Sequence, residues 1–185
     1  MAKLPILIYG SPILRKKAKA VERVDGVLQR LIDEMVETMY AAPGMGLAAN
    51  QVGVPLRLLV MNPSEERDPK DLVVIINPEI VSSEGEEFGE EGCLSIPEVR
   101  EEVARYKHVL VHGYDREGRE IEISGQGLVA RILQHEIDHL DGILFIDRLS
   151  TAKKELIKQR LRRILKEKGL SLKSMDGDPW KSARM

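Results

Sequence analysis

The sequence predicts an α+β fold, with small antiparallel or mixed sheets packed around one central helix and a further helix at the C-terminal end. Three observations carry this expectation. Short apolar, β-branched runs bounded by turn residues recur through residues 56–124. One helix-length segment, residues 126–140, stands after them. A second helical pattern then closes the chain from Thr151 to Lys168. Strands grouped around a helix, without regular alternation of the two, read as α+β.

Taken in order, residues 6–21 read as an extended piece, a turn at Gly10-Ser11-Pro12 and a basic stretch. Residues 25–42 form a helix candidate with Asp25 as N-cap. Leu28, Leu31, Ile32, Met35 and Met39 recur at helical spacing, and Pro43-Gly44 ends the run. Residues 56–62 and 72–77 are strands flanking the polar loop 63–70, and residues 79–100 alternate short strands with glycine-rich turns. Residues 103–115 and 119–124 pair as a hairpin across Asp115-Arg116-Glu117-Gly118. The helix over 126–140 stops at Gly142, a natural C-terminal residue. Residues 1–168 are thus expected to form one catalytic domain, with 169–185 a polar, flexible tail.

Composition narrows the classes of function. Of 185 residues, 43% are hydrophobic and 31% charged, the balance of a globular domain, and no apolar run is long enough to span a membrane. The segment Met1-Ala2-Lys3-Leu4-Pro5-Ile6 lacks the apolar stretch of a signal peptide, so the chain is expected to stay where it is made. A single cysteine, Cys93, excludes an intramolecular disulfide framework. The net charge of −2 hides an asymmetry: residues 1–150 carry 17 Lys+Arg against 26 Asp+Glu (−9), and residues 151–185 carry 11 against 4 (+7). Only the tail is basic, so no general DNA binding is expected.

The chemistry concentrates in His135-Glu136-Ile137-Asp138-His139. On a helix, i and i+4 share a face, so both histidines can point at one metal ion with Glu136 placed to handle a proton. A catalytic site needs a third protein ligand. A third histidine six residues beyond the second is absent, because that position is Phe145. Glu155 is available on the later helix, but beside Lys153 and Lys154 an ion pair within the helix explains it better. Cys93 follows Gly92, which permits close backbone approach, and a thiolate is a strong ligand for zinc or iron. Cys93 is therefore the preferred third ligand. A Gln51 amide could serve as a donor to a developing oxyanion.

Together, Gly44–Gln51 (GMGLAANQ), Glu91–Ser95 (EGCLS) and Gln134–His139 (QHEIDH) resemble the three motifs of the peptide deformylases, in order, and the resemblance spans about residues 1–165. It implies a cytoplasmic bacterial hydrolase that removes the formyl group from the N-terminal formyl-methionine of new polypeptides. It further implies one divalent metal, natively Fe²⁺ with Zn²⁺, Ni²⁺ or Co²⁺ as substitutes, held by Cys93, His135 and His139. Glu136 would be general base and then acid. The Gln51 amide and the Leu94 backbone N–H would face the oxyanion, with the Gly46 backbone near the formyl group. Met45, Leu128, Ile132 and the His135 ring are candidates for the methionine pocket. Arg100 would orient Glu91.

Competing readings explain less. Gly44–Ala49 also fits a dinucleotide fingerprint, but a helix precedes it and a strand follows, the reverse of what that motif needs. A protease with Glu155 as ligand leaves Cys93 and Gln51 without a role. A closed structural site would need His108 or His112, which alternate with apolar residues as strand-face histidines do. The last helix carries Leu156, Leu161, Ile164 and Leu165, with Ile157 adjacent, as an apolar stripe, and Lys154, Lys158, Arg162, Arg163 and Lys166 elsewhere. Its basic surface is either an ordinary solvated face or a docking element for ribosomal phosphate backbone.

Overall fold

The computed structural model describes residues 3–167 and residue 169. The expected tail beyond Gly169 lies outside the described residues, as does Lys168. Among the described residues the strands are β1 (Gly46–Ala48), β2 (Leu58–Met61), β3 (Val73–Glu84), β4 (Glu87–Cys93), β5 (Ile96–Arg105), β6 (His108–Tyr114) and β7 (Glu120–Gln126). The helices are α1 (Gly26–Ala41), α2 (Leu128–Leu140) and α3 (Thr151–Glu167). Five strands form an antiparallel sheet in the order β1-β2-β3-β6-β7, and β4 and β5 form a separate hairpin. No helix among the described residues is long and apolar enough to cross a membrane.

The hydrophobic pattern places the layers. Along β2, Leu58 and Val60 join the cluster under α1, whereas Leu59 and Met61 join the cluster under α2. That alternation is the two-residue period of a strand buried on both faces. Helix α1 buries Leu28, Leu31, Ile32, Met35 and Met39 on one side of the sheet, and the Asp25 carboxylate accepts from the N–H groups of Val27 and Leu28, both at 3.0 Å. Helix α2 lays Ala130, Leu133, Ile137 and Leu140 on the other side. Its remaining flank, with His135 and Asp138, faces the β4–β5 hairpin, so ten of its 13 residues are buried. A third cluster joins Ile96, Val99 and Val103 of β5 to Phe145, Ile146 and the α3 residues Ile157 and Leu161.

Several boundaries depart from the sequence reading for physical reasons. β3 continues through Pro78 to Glu84, because register shifts between Ile76 and Glu79 absorb the proline, which cannot donate to a ladder. Asn77 stabilises this point by exchanging two hydrogen bonds with the Val21 backbone (2.8 and 3.0 Å). The expected strand over 103–115 divides between β5 and β6. At the break, the Gln134 amide accepts from the Tyr106 N–H and donates to the Tyr106 carbonyl, both at 2.9 Å. A side chain from α2 thus satisfies backbone that a neighbouring strand would otherwise pair. Gln126 belongs to β7, and α2 begins after Gly127. In α3 the buried stripe is Ile157, Leu161, Ile164 and Leu165. Leu156 is 66% exposed and lies off it.

Asp147 ties the N-terminal turn Pro12–Arg15 to α3. Its carboxylate pairs with the Arg15 guanidinium and Lys154, and accepts from the Leu144 N–H at 2.9 Å. Burial alone would raise its pKa, but these partners outweigh it and hold the carboxyl at about 2. Because the folded pKa lies below the unfolded value, the stabilisation is complete above about pH 4 and is lost as pH falls towards 2. Allowing for partial exposure, it contributes on the order of 1 kcal/mol. Asp147→Asn is therefore expected to be less stable than the parent by that amount near neutral pH in urea unfolding, with the gap closing below about pH 4. A gap independent of pH would contradict this assignment.

Candidate active site

The HExxH segment lies in α2 with both histidines on its hairpin-facing flank. Gly142, at φ 75°, ends the helix in the left-handed conformation that glycine adopts without strain. Opposite lies Cys93, at the end of β4 where the hairpin register shifts between Gly92 and Cys93. The shift turns the sulfur towards α2, and Cys93 Sγ sits 3.2 Å from His139 Nε2. The donor atoms of Cys93, His135 and His139 all lie within 4.8 Å of one another. Metal–ligand arms of about 2.0–2.3 Å place tetrahedral ligands roughly 3.3–3.8 Å apart, so the trio fits one ion with small adjustments. Glu155 is on the exposed side of α3, 2.7 Å from Lys158 and outside this cluster.

A partner behind His135 fixes its orientation, whereas His139 Nδ1 has no hydrogen-bond partner among the described residues. His135 Nδ1 donates to Glu91 Oε2 at 2.9 Å, leaving its other nitrogen for the centre. Burial raises the Glu91 carboxyl, but hydrogen bonds from Arg105 and His135 overcome this and hold it at about 2, so it is an anion. Burial and the neighbouring His135 charge push His139 well below the usual imidazole range, which keeps the lone pair of one ring nitrogen available. His135 moves the other way, because Cys93 and Glu91 outweigh its burial.

The expected role of Arg100 is corrected here. Arg100 pairs with Glu90 at 3.0 Å on the exposed face of the hairpin, whereas Glu91 is held by Arg105 (2.7 and 2.9 Å) and Arg131 (2.9 Å). Arg105 also pairs with Asp138, which binds Arg148 as well. This buried network of Glu91, Arg105, Arg131 and Asp138 was missing from the sequence reading apart from Glu91. Such a network tolerates no missing partner, since each charge would be left buried and uncompensated.

Glu136 is buried beside the donor trio, and burial pushes its carboxyl up to about 7. Its Oε2 has no hydrogen-bond partner among the described residues, which is where a bound water or substrate group would sit. A Cβ at Gly46 would overlap this carboxylate, so glycine there lets β1 approach α2. Gln51 is buried, with Oε1 accepting from the Ala48 N–H at 2.9 Å. Its Nε2 faces Ser95 Oγ (3.1 Å) and Cys93 Sγ (3.6 Å). It caps its loop and also presents an amide to the centre. Met45, Gly46, Gln51, Glu91, Cys93, Leu94, Arg100, Leu128, Ile132, His135 and Glu136 all line one cleft of about 740 Å³.

An α+β domain carrying a Cys-His-His donor set, with a buried carboxylate beside it, defines a metal-dependent hydrolase. Comparison with known proteins gives the family. Residues 3–155 match the model of the polypeptide deformylases. A peptide deformylase of Syntrophobacter fumaroxidans is 52% identical over 167 residues, covering 90% of this chain and 98% of the relative. The crystal structure of a Legionella pneumophila peptide deformylase superposes with a TM-score of 0.85 at 47% identity, covering 92% of this chain and 99% of that one. An Ehrlichia chaffeensis peptide deformylase, solved in complex with actinonin, superposes with a TM-score of 0.83 at 39% identity, covering 90% and 98%. The chain belongs to the polypeptide deformylase family. It is a metal-dependent hydrolase that removes the N-formyl group from newly made polypeptides.

Proposed function

We propose that Cys93, His135 and His139 hold one divalent ion, Fe²⁺ in the native enzyme, and that Glu136 moves the proton in formyl hydrolysis. The observation that carries this reading is the convergence of the three donors beside a buried Glu136 oxygen that has no hydrogen-bond partner among the described residues. When bound, the ion supplies Lewis acidity, which polarises the formyl group and makes water nucleophilic near neutral pH. Glu136 takes the proton from the attacking water and returns it to the leaving amine. The Gln51 Nε2–H and the Leu94 backbone N–H donate to the oxygen that gains charge, and the Gly46 backbone steadies the formyl group. The methionine side chain enters between Met45, Leu128, Ile132 and the His135 ring, where Ile132 is buried and Leu128 is 47% exposed. Glu91, gripped by Arg105 and Arg131, keeps the His135 ring aimed.

Thiolate and imidazole also suit Zn²⁺, Ni²⁺ and Co²⁺. Fe²⁺ is tested by loading the chain anaerobically with Fe²⁺ or Ni²⁺ and following formate release from a formyl-Met peptide. The iron form should lose activity in air, through oxidation of the metal or of Cys93, while the nickel form persists. Equal decay of the two would contradict the oxidation argument.

Residues 1–168 act as one catalytic domain in this reading, supported by the packing of Ile157 and Leu161 on β5. New polypeptides are made in the bacterial cytoplasm, which supports that compartment as its place of work. The exposed Arg162, Arg163 and Lys166 of α3, within a segment of net charge +7, support docking on ribosomal phosphate backbone. Arg162→Glu with Lys166→Glu is expected to leave hydrolysis of a short formyl-peptide unchanged and to abolish salt-sensitive co-sedimentation with ribosomes. Unchanged co-sedimentation would reduce the helix surface to a solvated face.

A further inference from the structure

Besides the Glu136 oxygen, three buried polar atoms have no hydrogen-bond partner among the described residues: Ser11 Oγ, Asn50 Oδ1 and His139 Nδ1. Their residues are almost fully enclosed, so bulk solvent does not serve them. Backbone ties bring the three residues together. The buried Asn50 amide donates to the carbonyls of His139 and Lys16, both at 2.8 Å. Its Oδ1 shares a carbon with that nitrogen and so lies beside His139. The segment bearing Ser11 crosses the same place. The N–H groups of Leu7, Tyr9 and Ala18 donate to the carbonyls of Gln51, Ser95 and Leu140, each at 2.7 Å. The turn Pro12–Arg15, which Ser11 precedes, packs on the turn Ala49–Val52 that carries Asn50.

The tautomer of His139 makes one of these atoms a donor. Its Nε2 faces Cys93 Sγ at 3.2 Å, and a nitrogen that holds a metal carries no proton. The proton is then on Nδ1, and a buried N–H without an acceptor bears its full desolvation cost. Asn50 Oδ1 can accept, but no direct bond joins it to His139 Nδ1. The Ser11 hydroxyl is equally uncommitted, because it makes no cap to the turn that follows it.

We infer that Ser11, Asn50 and His139 enclose one buried water, through which Asn50 acts as a positioning residue for His139. The water accepts from Nδ1–H and from the Ser11 hydroxyl and donates to Asn50 Oδ1, the usual three bonds of a buried water. The inference rests on His139 Nε2 being the ligand atom. Asn50 then holds His139 directly at its backbone carbonyl and, through the water, at its ring. His135 is aimed by the Glu91 anion, whereas His139 is aimed by neutral groups that add no second buried charge.

The test uses zinc-loaded, ¹⁵N-histidine-labelled protein and reads the His139 Nδ1–H resonance together with zinc affinity by chelator competition. In the parent, Nδ1 is expected to be protonated and to show a through-space cross-peak to bound water. Ser11→Ala removes one bond to that water and should shift the resonance and weaken zinc about two- to fivefold. Asn50→Leu, similar in shape, should weaken it about 10–100-fold, the usual loss when a group behind a ligand is removed. Should Asn50→Leu fail to fold, Ser11→Ala decides, because its hydroxyl bonds no other described residue. Asp147→Asn loosens the same N-terminal turn away from the water and should keep both readouts. A parental resonance without the water cross-peak, or an unshifted one in Ser11→Ala, would overturn the inference, as would equal changes in Asp147→Asn. Failure of the metal-site reading is distinct, since the parent itself would then not retain zinc.

Discussion

Glu136→Gln is expected to keep the metal and lower kcat by about 10²–10⁴-fold on formyl-Met peptides, the range over which a positioned proton carrier contributes. That loss corresponds to roughly 3–5 kcal/mol of barrier. Glutamine matches the shape of glutamate, so the close approach of Gly46 and the packing of α2 are preserved. Glutamine cannot take a proton from water. The substitution also replaces a carboxyl that burial holds near pH 7 with a neutral amide, which adds no buried charge. Metal content and thermal unfolding should therefore match the parent. A variant with full metal and near-parental turnover would remove Glu136 from the proton path.

Cys93→Ala is expected to lose tight metal binding and, with it, all measurable activity, whereas Glu155→Ala keeps both. The contrast follows from placement: Cys93 Sγ is 3.2 Å from His139 Nε2, while Glu155 is paired with Lys158 on the exposed face of α3. Two imidazoles remain in Cys93→Ala, but they leave a tetrahedral site short of one charged ligand. Elemental analysis of the two purified variants reads the outcome. A metal-replete Cys93→Ala protein would assign the third ligand elsewhere.

The candidate metal ligands are legible in the sequence because their signals are local or chemical. His135 and His139 follow from one helical period, and Cys93 from being the only thiol in the chain. The partners behind them depend on hairpin register, which no local pattern reveals. Gly92 pairs with Arg100 and Glu91 with Glu101, so Arg100 stands on the outer face with Glu90. Arg105, paired with Glu87, shares the inner face with Glu91. A difference of one in parity therefore decides which arginine is buried against the site. The resemblance supplied an arginine but not the face it occupies. Leu156 and Ile157 pose the same problem on a helix, where a step of one residue moves a side chain from the packed stripe to solvent. Strand β1 went unseen because three residues within a glycine-rich loop carry no alternation, and only pairing with β2 makes them a strand. Likewise, the break at Tyr106 is made by Gln134, 28 residues away.

The central claim, that one thiolate and two imidazoles hold the ion, is tested most directly by X-ray absorption at the metal edge of the zinc-loaded protein. The expected first shell contains one sulfur at about 2.3 Å and two nitrogens at about 2.0–2.1 Å. A shell of nitrogen and oxygen alone, with no sulfur scatterer, would contradict it.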